Sequence, residues 1–244
     1  MKLTAGQMPI FNQWLKNQMH DLIKGRALPI AAVLLDFDGT VANTDEFHLV
    51  AWNNALSEYV IRIDRHFYSE HCVGRQHHEI ASAIARSNPA VPIDQRRLIA
   101  AKEASFEATC QNMPVPLMPD IAAAIDLLIS MHLTVGMVTG SSHKIVAQTL
   151  LHHKILDCFS LIIASGDFKS PKPAPESYLL ALNKLRIKGS SCLAFEDTHA
   201  GIAAANAAGI ISCAVPQTFT NHQDFFDRNL LLPSRANYIF VGKL

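Results

Sequence analysis

The sequence predicts an α/β fold: a parallel sheet with helices on both faces and a helical segment inserted after the first strand. Three observations carry this. Short apolar runs alternate with helical patterns, as repeated β-α-β units require. Several of those runs end in carboxylates or hydroxyls, as at LLDFDGT (34–40) and CLAFEDT (192–198). The first run ends near Asp38 and the second near Thr139, although a parallel crossover needs only about a dozen residues or more.

In chain order, IAAVLLDF (30–37) behind Pro29 reads as a buried strand. Residues 46–60, 77–87 and 94–110 are helical in pattern and account for the surplus chain. Behind Pro119, a good first-turn residue, Ile121, Ile125, Leu128 and Ile129 share one face of a helix over 119–130. Strands follow at LTVGMVTG (133–140), SLIIASG (160–166), SCLAFED (191–197) and IISCAVP (210–216). Pro175 opens a helix with Tyr178, Leu179, Leu182 and Leu185 on its apolar side. Ala203, Ala204, Ala205, Ala207 and Ala208 form another, whose small side chains suit close approach to a sheet. Near the N-terminus, Ile10, Phe11, Trp14, Leu15, Met19, Leu22 and Ile23 predict an amphipathic helix over 9–24 rather than a signal peptide. The expected division is a core of 1–43 and 117–244 and a helical cap of 44–116, set over the C-terminal edge of the sheet where open parallel sheets bind ligands.

Composition narrows the function. The chain has 244 residues, enough for one large domain or a medium one carrying a smaller one, and 49% are hydrophobic. Lys and Arg balance Asp and Glu at 21 each, which argues against a dedicated nucleic-acid binder. No apolar run approaches the ~20 residues of a membrane span. The five cysteines, Cys72, Cys110, Cys158, Cys192 and Cys213, are odd in number and form no CxxC pair. A reducing, cytoplasmic setting is expected. Neither a nucleic-acid nor a membrane partner is expected, and the expected state is a monomer or weak homodimer.

The strand ends carry the chemistry. Asp36 and Asp38, at i and i+2, point to one side of a strand. Charges so close repel, and one carboxyl stays protonated unless a cation sits between them. Mg²⁺ suits such oxygen ligands. Glu196 and Asp197 end a second strand in the same way, and both pairs can converge on one metal. Capping of the following helix is the alternative for each pair. VTGSSHK (138–144) places Thr139, Ser141 and Ser142 at a turn before a helix, where hydroxyls and free N–H groups, including those at Gly140, favour an anion or make an ordinary cap. In SPKPAPE (170–176) two prolines flank Lys172 and hold it as a fixed positive charge. A divalent metal, paired carboxylates, hydroxyls and a lysine are the equipment of phosphoryl transfer. Asp36 would attack phosphorus, and Asp38 would exchange protons with the leaving alcohol and then with water.

In this order, LLDFDGT, VTGSS, KPAPESY and FEDTHAGIAAANAAG resemble the four motifs of the haloacid dehalogenase superfamily, nearest its β-phosphoglucomutase-like sugar-phosphatase branch, over about 30–216. The resemblance implies a Rossmann-like core, a helical cap and an aspartyl-phosphate on Asp36. It implies Mg²⁺ held by Asp36, the backbone carbonyl of Asp38, and Asp197, with Glu196 direct or through water. Thr139 and Lys172, with Gly140 and Ser141 beside them, would bind phosphate. In CVGRQHHEI (72–80) Arg75 resembles a substrate-facing cap residue, as does Lys102 in AAKEASF. His48 occupies a position where the branch often has histidine and reads first as structural. Asn43-Thr44-Asp45-Glu46 departs from the usual Asp-Ser/Thr-Glu-Pro. The expected activity is a Mg²⁺-dependent phosphatase of a small phosphorylated sugar or related metabolite. The alternatives are a sugar-phosphate mutase and a catalytically silent phosphometabolite-binding protein. The pairs His77-His78 and His152-His153 are expected to point apart and share no metal.

Overall fold

A computed structural model describes residues 30–215 and 219–220, together with the backbone of 238–240. The expected helix over 9–24 lies outside the described residues. A parallel sheet in the order β3-β2-β1-β4-β5-β6 forms the centre. Its strands are β1 (Ala32–Leu35), β2 (Thr134–Ser142), β3 (Leu161–Ser165), β4 (Cys192–Glu196), β5 (Ile211–Ala214) and β6 (Tyr238–Phe240). The register sets the site. Leu35 stands opposite Met137 of β2 and Phe195 of β4. The next residues along the chain, Asp36, Val138 and Glu196, therefore stand side by side at the C-terminal ends of β1 and β4 and beside them on β2.

Alternation along β1 divides the core into two layers. Val33 and Leu35 pack with Ile121, Ile125 and Leu128 of α5 (Ile121–Ser130) and Ile145, Val146 and Leu150 of α6 (His143–His152). Ala32 and Leu34 pack on the other face with Tyr178, Ala181 and Leu182 of α7 (Glu176–Leu185) and Ala204 and Ala205 of α8 (His199–Ala207). This is the expected Rossmann-like architecture.

Between β1 and α5 the chain inserts α1 (Asp45–Leu56), α2 (Arg65–His71), α3 (His77–Ser87) and α4 (Gln95–Asn112). These helices carry their own apolar cluster, including Trp52, Leu56, Tyr68, Ile84 and Leu98, and Phe219 from beyond β5 joins it. Helix α2 was not legible in the sequence because only Tyr68 of it is buried, which leaves no apolar periodicity. Its one local signal is Asp64, which accepts from Phe67 N at 2.8 Å as an N-cap.

Several expectations are corrected. Pro119 precedes α5 rather than opening it, since Asp120 at φ 61° is the cap residue. Ile129 and Leu179 are 41% and 48% exposed; each helix buries its i, i+3, i+4 residues and turns the next position outward. Strand β2 continues through Ser142, with a register shift after Val138, so 139–142 is extended chain rather than a turn. The His152 and His153 rings meet edge to face at 4.9 Å instead of pointing apart. No expectation anticipated β6.

Candidate active site

Asp36 follows β1 directly, and its backbone N–H donates to Phe195 O at 3.0 Å, which continues the strand pairing. Lys172 reaches it from the loop before α7. The Lys172 ammonium donates to Asp36 Oδ1 and Glu196 Oε1, both at 2.6 Å, and to Val138 O at 2.8 Å. Burial opposes a charge on Lys172, but Asp36 and Glu196 outweigh it and raise its pKa. Burial, followed by the charge of Glu196, pushes the Asp36 carboxyl well above the usual range despite Lys172. Burial, then Asp36, raises Asp197 in the same way. The hydroxyl of Tyr178 also donates to Glu196 Oε1, at 2.5 Å.

Two acids thus share one ammonium, with Asp197 beside them. Asp36, Glu196 and Asp197 each offer a carboxylate oxygen within 4.8 Å of the others. Two glycines make room for them. A Cβ on Gly39, whose φ is +74°, would lie 2.1 Å from Asp197 Oδ2, and one on Gly201 would lie 1.9 Å from Glu196 Oε2. Buried, mutually repelling oxygen donors in space kept open by glycine fit a hard divalent cation such as Mg²⁺. The side chain of Asp38 is not part of this cluster.

Asp38 and Asp36 take separate partners, against the expectation that they face one cation together. Strand geometry ends at Leu35, and Asp38 lies in a short turn that Gly39 closes with N–H to Ala42 O at 2.9 Å. Asp38 Oδ2 accepts from Ser141 Oγ at 2.7 Å and Thr139 Oγ1 at 3.3 Å. Its Oδ1 accepts from Thr44 Oγ1 at 2.7 Å and lies 3.5 Å from His48 Nε2. Burial would raise its pKa, but His48, Ser141 and Thr44 together bring it well below the usual range. Gly140 is exposed, with open space where a side chain would sit.

The inserted helices face Asp38. His48 stacks on Phe106 with ring centroids 3.9 Å apart. Burial, then the charge of Lys102, lowers its pKa to about 4, so a neutral ring meets Asp38 at pH 7. Lys102 is 1% exposed. It lies 5.0 Å from the Phe106 ring centroid and donates to His77 Nε2 at 2.9 Å, while His77 Nδ1 meets Glu103 Oε1 at 3.1 Å. Burial pushes Lys102 down to about 8. Beside these, Asp45 is buried, accepts from Tyr68 Oη at 3.1 Å, and is pushed by burial up to about 7.

The loop before α3 touches the sheet edge. A Cβ on Gly74 would stand 3.2 Å from Thr198 Cβ, and Gln76 Nε2 donates to Lys172 O at 3.4 Å. Arg75, between them, is exposed. The sequence reading missed Thr44, His77 and the Tyr178 hydroxyl, and gave His48 a structural role. The KPAPESY motif, which contains Tyr178, and the Asn43-Thr44-Asp45-Glu46 segment, where Thr44 falls at a Ser/Thr position, could have flagged two of them.

Paired acids, a captive lysine and hydroxyl donors at the C-terminal edge of a parallel sheet, under inserted helices, define a hydrolytic or group-transfer enzyme. The family model "Haloacid dehalogenase-like hydrolase" matches residues 33–215, and the chain belongs to that family. The fructose-1-phosphate phosphatase YqaB of Escherichia coli is 30% identical over 184 residues, covering 74% of this chain and 93% of that protein. The β-phosphoglucomutase of Bacillus subtilis is 27% identical over 191 residues, covering 76% and 83%. Among solved structures, a variant of CbbY from Rhodobacter sphaeroides in complex with xylulose-(1,5)bisphosphate has a TM-score of 0.70 at 26% identity, covering 86% of this chain and 97% of that one. Family membership and the phosphatase names among the relatives agree with a phosphoric monoester hydrolase.

Proposed function

We propose that this enzyme hydrolyses the phosphate monoester of a small sugar or related metabolite, with Mg²⁺, through an aspartyl-phosphate on Asp36. The observation that carries the reading is the partition of the two aspartates. Asp36 sits with Lys172, Glu196 and Asp197, while Asp38 sits with Ser141, Thr139 and His48. One environment suits a nucleophile beside a cation, the other a proton carrier. The phosphate and sugar names of the relatives support the substrate class.

In this reading Asp36 attacks phosphorus as the bond to the sugar oxygen breaks. Asp38 gives its proton to the departing alcohol, then takes one from the water that attacks the aspartyl-phosphate, releasing inorganic phosphate and freeing Asp36. Lys172, Thr139, Ser141 and the Gly140 backbone hold the phosphate oxygens. Bound at Asp36, Glu196 and Asp197, with the backbone carbonyl of Asp38, Mg²⁺ would supply charge neutralisation for the phosphoryl oxygens. Asp38 has to change its protonation between the two halves, and its partners give a way. Ser141 and Thr139 favour the carboxylate while they bond to it. A phosphate that draws those hydroxyls away, and adds its own negative charge, would raise the Asp38 pKa towards the acid form.

We assign 44–116 as the cap over a core of 1–43 and 117–244, with Arg75 and Lys102 as substrate contacts. We place the protein in the cytoplasm, which fits its odd number of cysteines and the lack of a CxxC pair, as a monomer or weak homodimer. Among the described residues no helix is long and apolar enough to cross a membrane. The deciding experiment incubates the protein and Mg²⁺ with a panel of phosphorylated metabolites. The expected result is one inorganic phosphate per substrate consumed, with no bisphosphate primer. Isomerisation of glucose 1-phosphate to glucose 6-phosphate without phosphate release would establish a mutase instead. Binding without either reaction would mark a silent sensor.

A further inference from the structure

Tyr178 lies in the first turn of α7, fully buried in the apolar layer with Ala32, Leu34 and Val138. Phenylalanine would fill the same space, and a buried phenol is costly unless its hydroxyl is bonded. The bond it makes is to an acid of the site. Glu196 Oε1 receives the Tyr178 hydroxyl at 2.5 Å and the Lys172 ammonium at 2.6 Å. The same ring lies 5.3 Å from Lys172 Nζ, within cation–π range. One side chain, itself fully buried, therefore contacts both the acid and the lysine.

We propose that Tyr178 is a positioning residue for the metal-binding acids. Its hydroxyl holds Glu196 beside Asp36 and Asp197, and its ring backs the Lys172 ammonium between Asp36 and Glu196. This rests on reading the three acids as a Mg²⁺ site. Without the hydroxyl, Lys172 alone holds Glu196 Oε1, and the carboxylate is free to turn further onto the ammonium. A cation then has to compete with that ion pair for Glu196. Partners that orient metal ligands typically govern metal affinity by about 10–100-fold.

The test is Tyr178→Phe, which keeps the ring and the packing and deletes only the hydroxyl. Mg²⁺ alone is titrated into the full-length protein by calorimetry, without substrate. The expected result is a Kd for Mg²⁺ about tenfold or more above wild type. Phosphate release should follow, with the Mg²⁺ requirement shifted upward and most of kcat recovered at high Mg²⁺, a split that a packing role would not produce. Tyr178→Leu also removes the ring and should further weaken inhibition by inorganic phosphate, because Lys172 loses its backing. Should the leucine variant fail to fold, the phenylalanine variant decides. Equal or tighter Mg²⁺ binding by Tyr178→Phe overturns the proposal while leaving the Mg²⁺ site standing. A wild-type protein that hydrolyses substrate but binds no Mg²⁺ overturns both.

Discussion

Lys172 Nζ lies 2.6 Å from Asp36 Oδ1, so the proposed nucleophile is ion-paired before any substrate arrives. The lysine side chain is 13% exposed and the aspartate 9%. Removing one partner from such a pair leaves a buried charge uncompensated and costs about 3–5 kcal/mol. Lys172→Met should therefore lower Tm in EDTA, with Mg²⁺ restoring part of the loss by neutralising the acids. Phosphate release should fall by roughly 10²–10³-fold, since one stabiliser of the transferring group is gone. An unchanged Tm in EDTA would mean the pair contributes nothing to the fold.

The two aspartates should fail in different ways. Asp36→Asn is nearly isosteric and leaves Lys172 paired with Glu196, so no charge is stranded and the variant should fold normally and be inactive. Asp38→Asn keeps the nucleophile and loses the proton carrier, a loss of about 10²–10⁴-fold. Acid quench followed by mass spectrometry should find phosphate on Asp36 in the wild type. A wild-type rate in Asp36→Asn would remove it from the mechanism.

Asp45 gives a pH signature. Its folded pKa of about 7 exceeds its ordinary value of 3.8. The folded state thus keeps a proton that the unfolded state releases, and stability falls as pH rises from about 4 to about 7. Above that window both states are deprotonated and the loss is complete, roughly 4 kcal/mol by the usual conversion. Asp45→Asn retains an acceptor for Tyr68 and carries no charge. In EDTA its Tm advantage over wild type should be largest at pH 8 and should vanish near pH 4. A constant difference across that range would show that Asp45 is not buried as a carboxyl.

The contact between the inserted helices and the sheet edge predicts a substrate-dependent defect. Gly74→Ala has to strain a φ of +74° and press against Thr198. If 44–116 closes over a sugar phosphate as proposed, the substitution should reduce kcat/KM for that substrate more than for a small artificial phosphate ester. Arg75→Ala should show the same bias without the strain if Arg75 touches the sugar. Equal losses on both substrates would make Arg75 a surface residue.

Metal removal separates geometry from fold. EDTA should abolish turnover and Mg²⁺ should restore it, while Asp197→Ala should weaken Mg²⁺ binding far more than it lowers Tm. Full activity in metal-free buffer would exclude the metal-assisted route.

Much of this was local enough to read in the sequence. Apolar runs in alternation with amphipathic patterns determined the parallel α/β core, because burial on a sheet face or a helix stripe imposes its own period. The strand-end acids and the proline-flanked Lys172 were visible for the same reason: unusual chemistry interrupts an otherwise apolar pattern. What escaped were properties that exist only between elements. Helix α2 buries one residue, so nothing periodic announces it. Strand β6 is defined by its pairing with β5. His48 is an ordinary helix residue until α1 and α4 bring it between Phe106 and Asp38. Tyr178 looks like one more apolar-face residue until β4 brings Glu196 to its hydroxyl. Two aspartates two residues apart read as one site, and only the turn at Gly39 gave each its own partners. Periodicity and residue type are properties of a chain segment. The partners of a buried polar group, and the pKa that follows, depend on which distant segments the sheet register brings within hydrogen-bond reach.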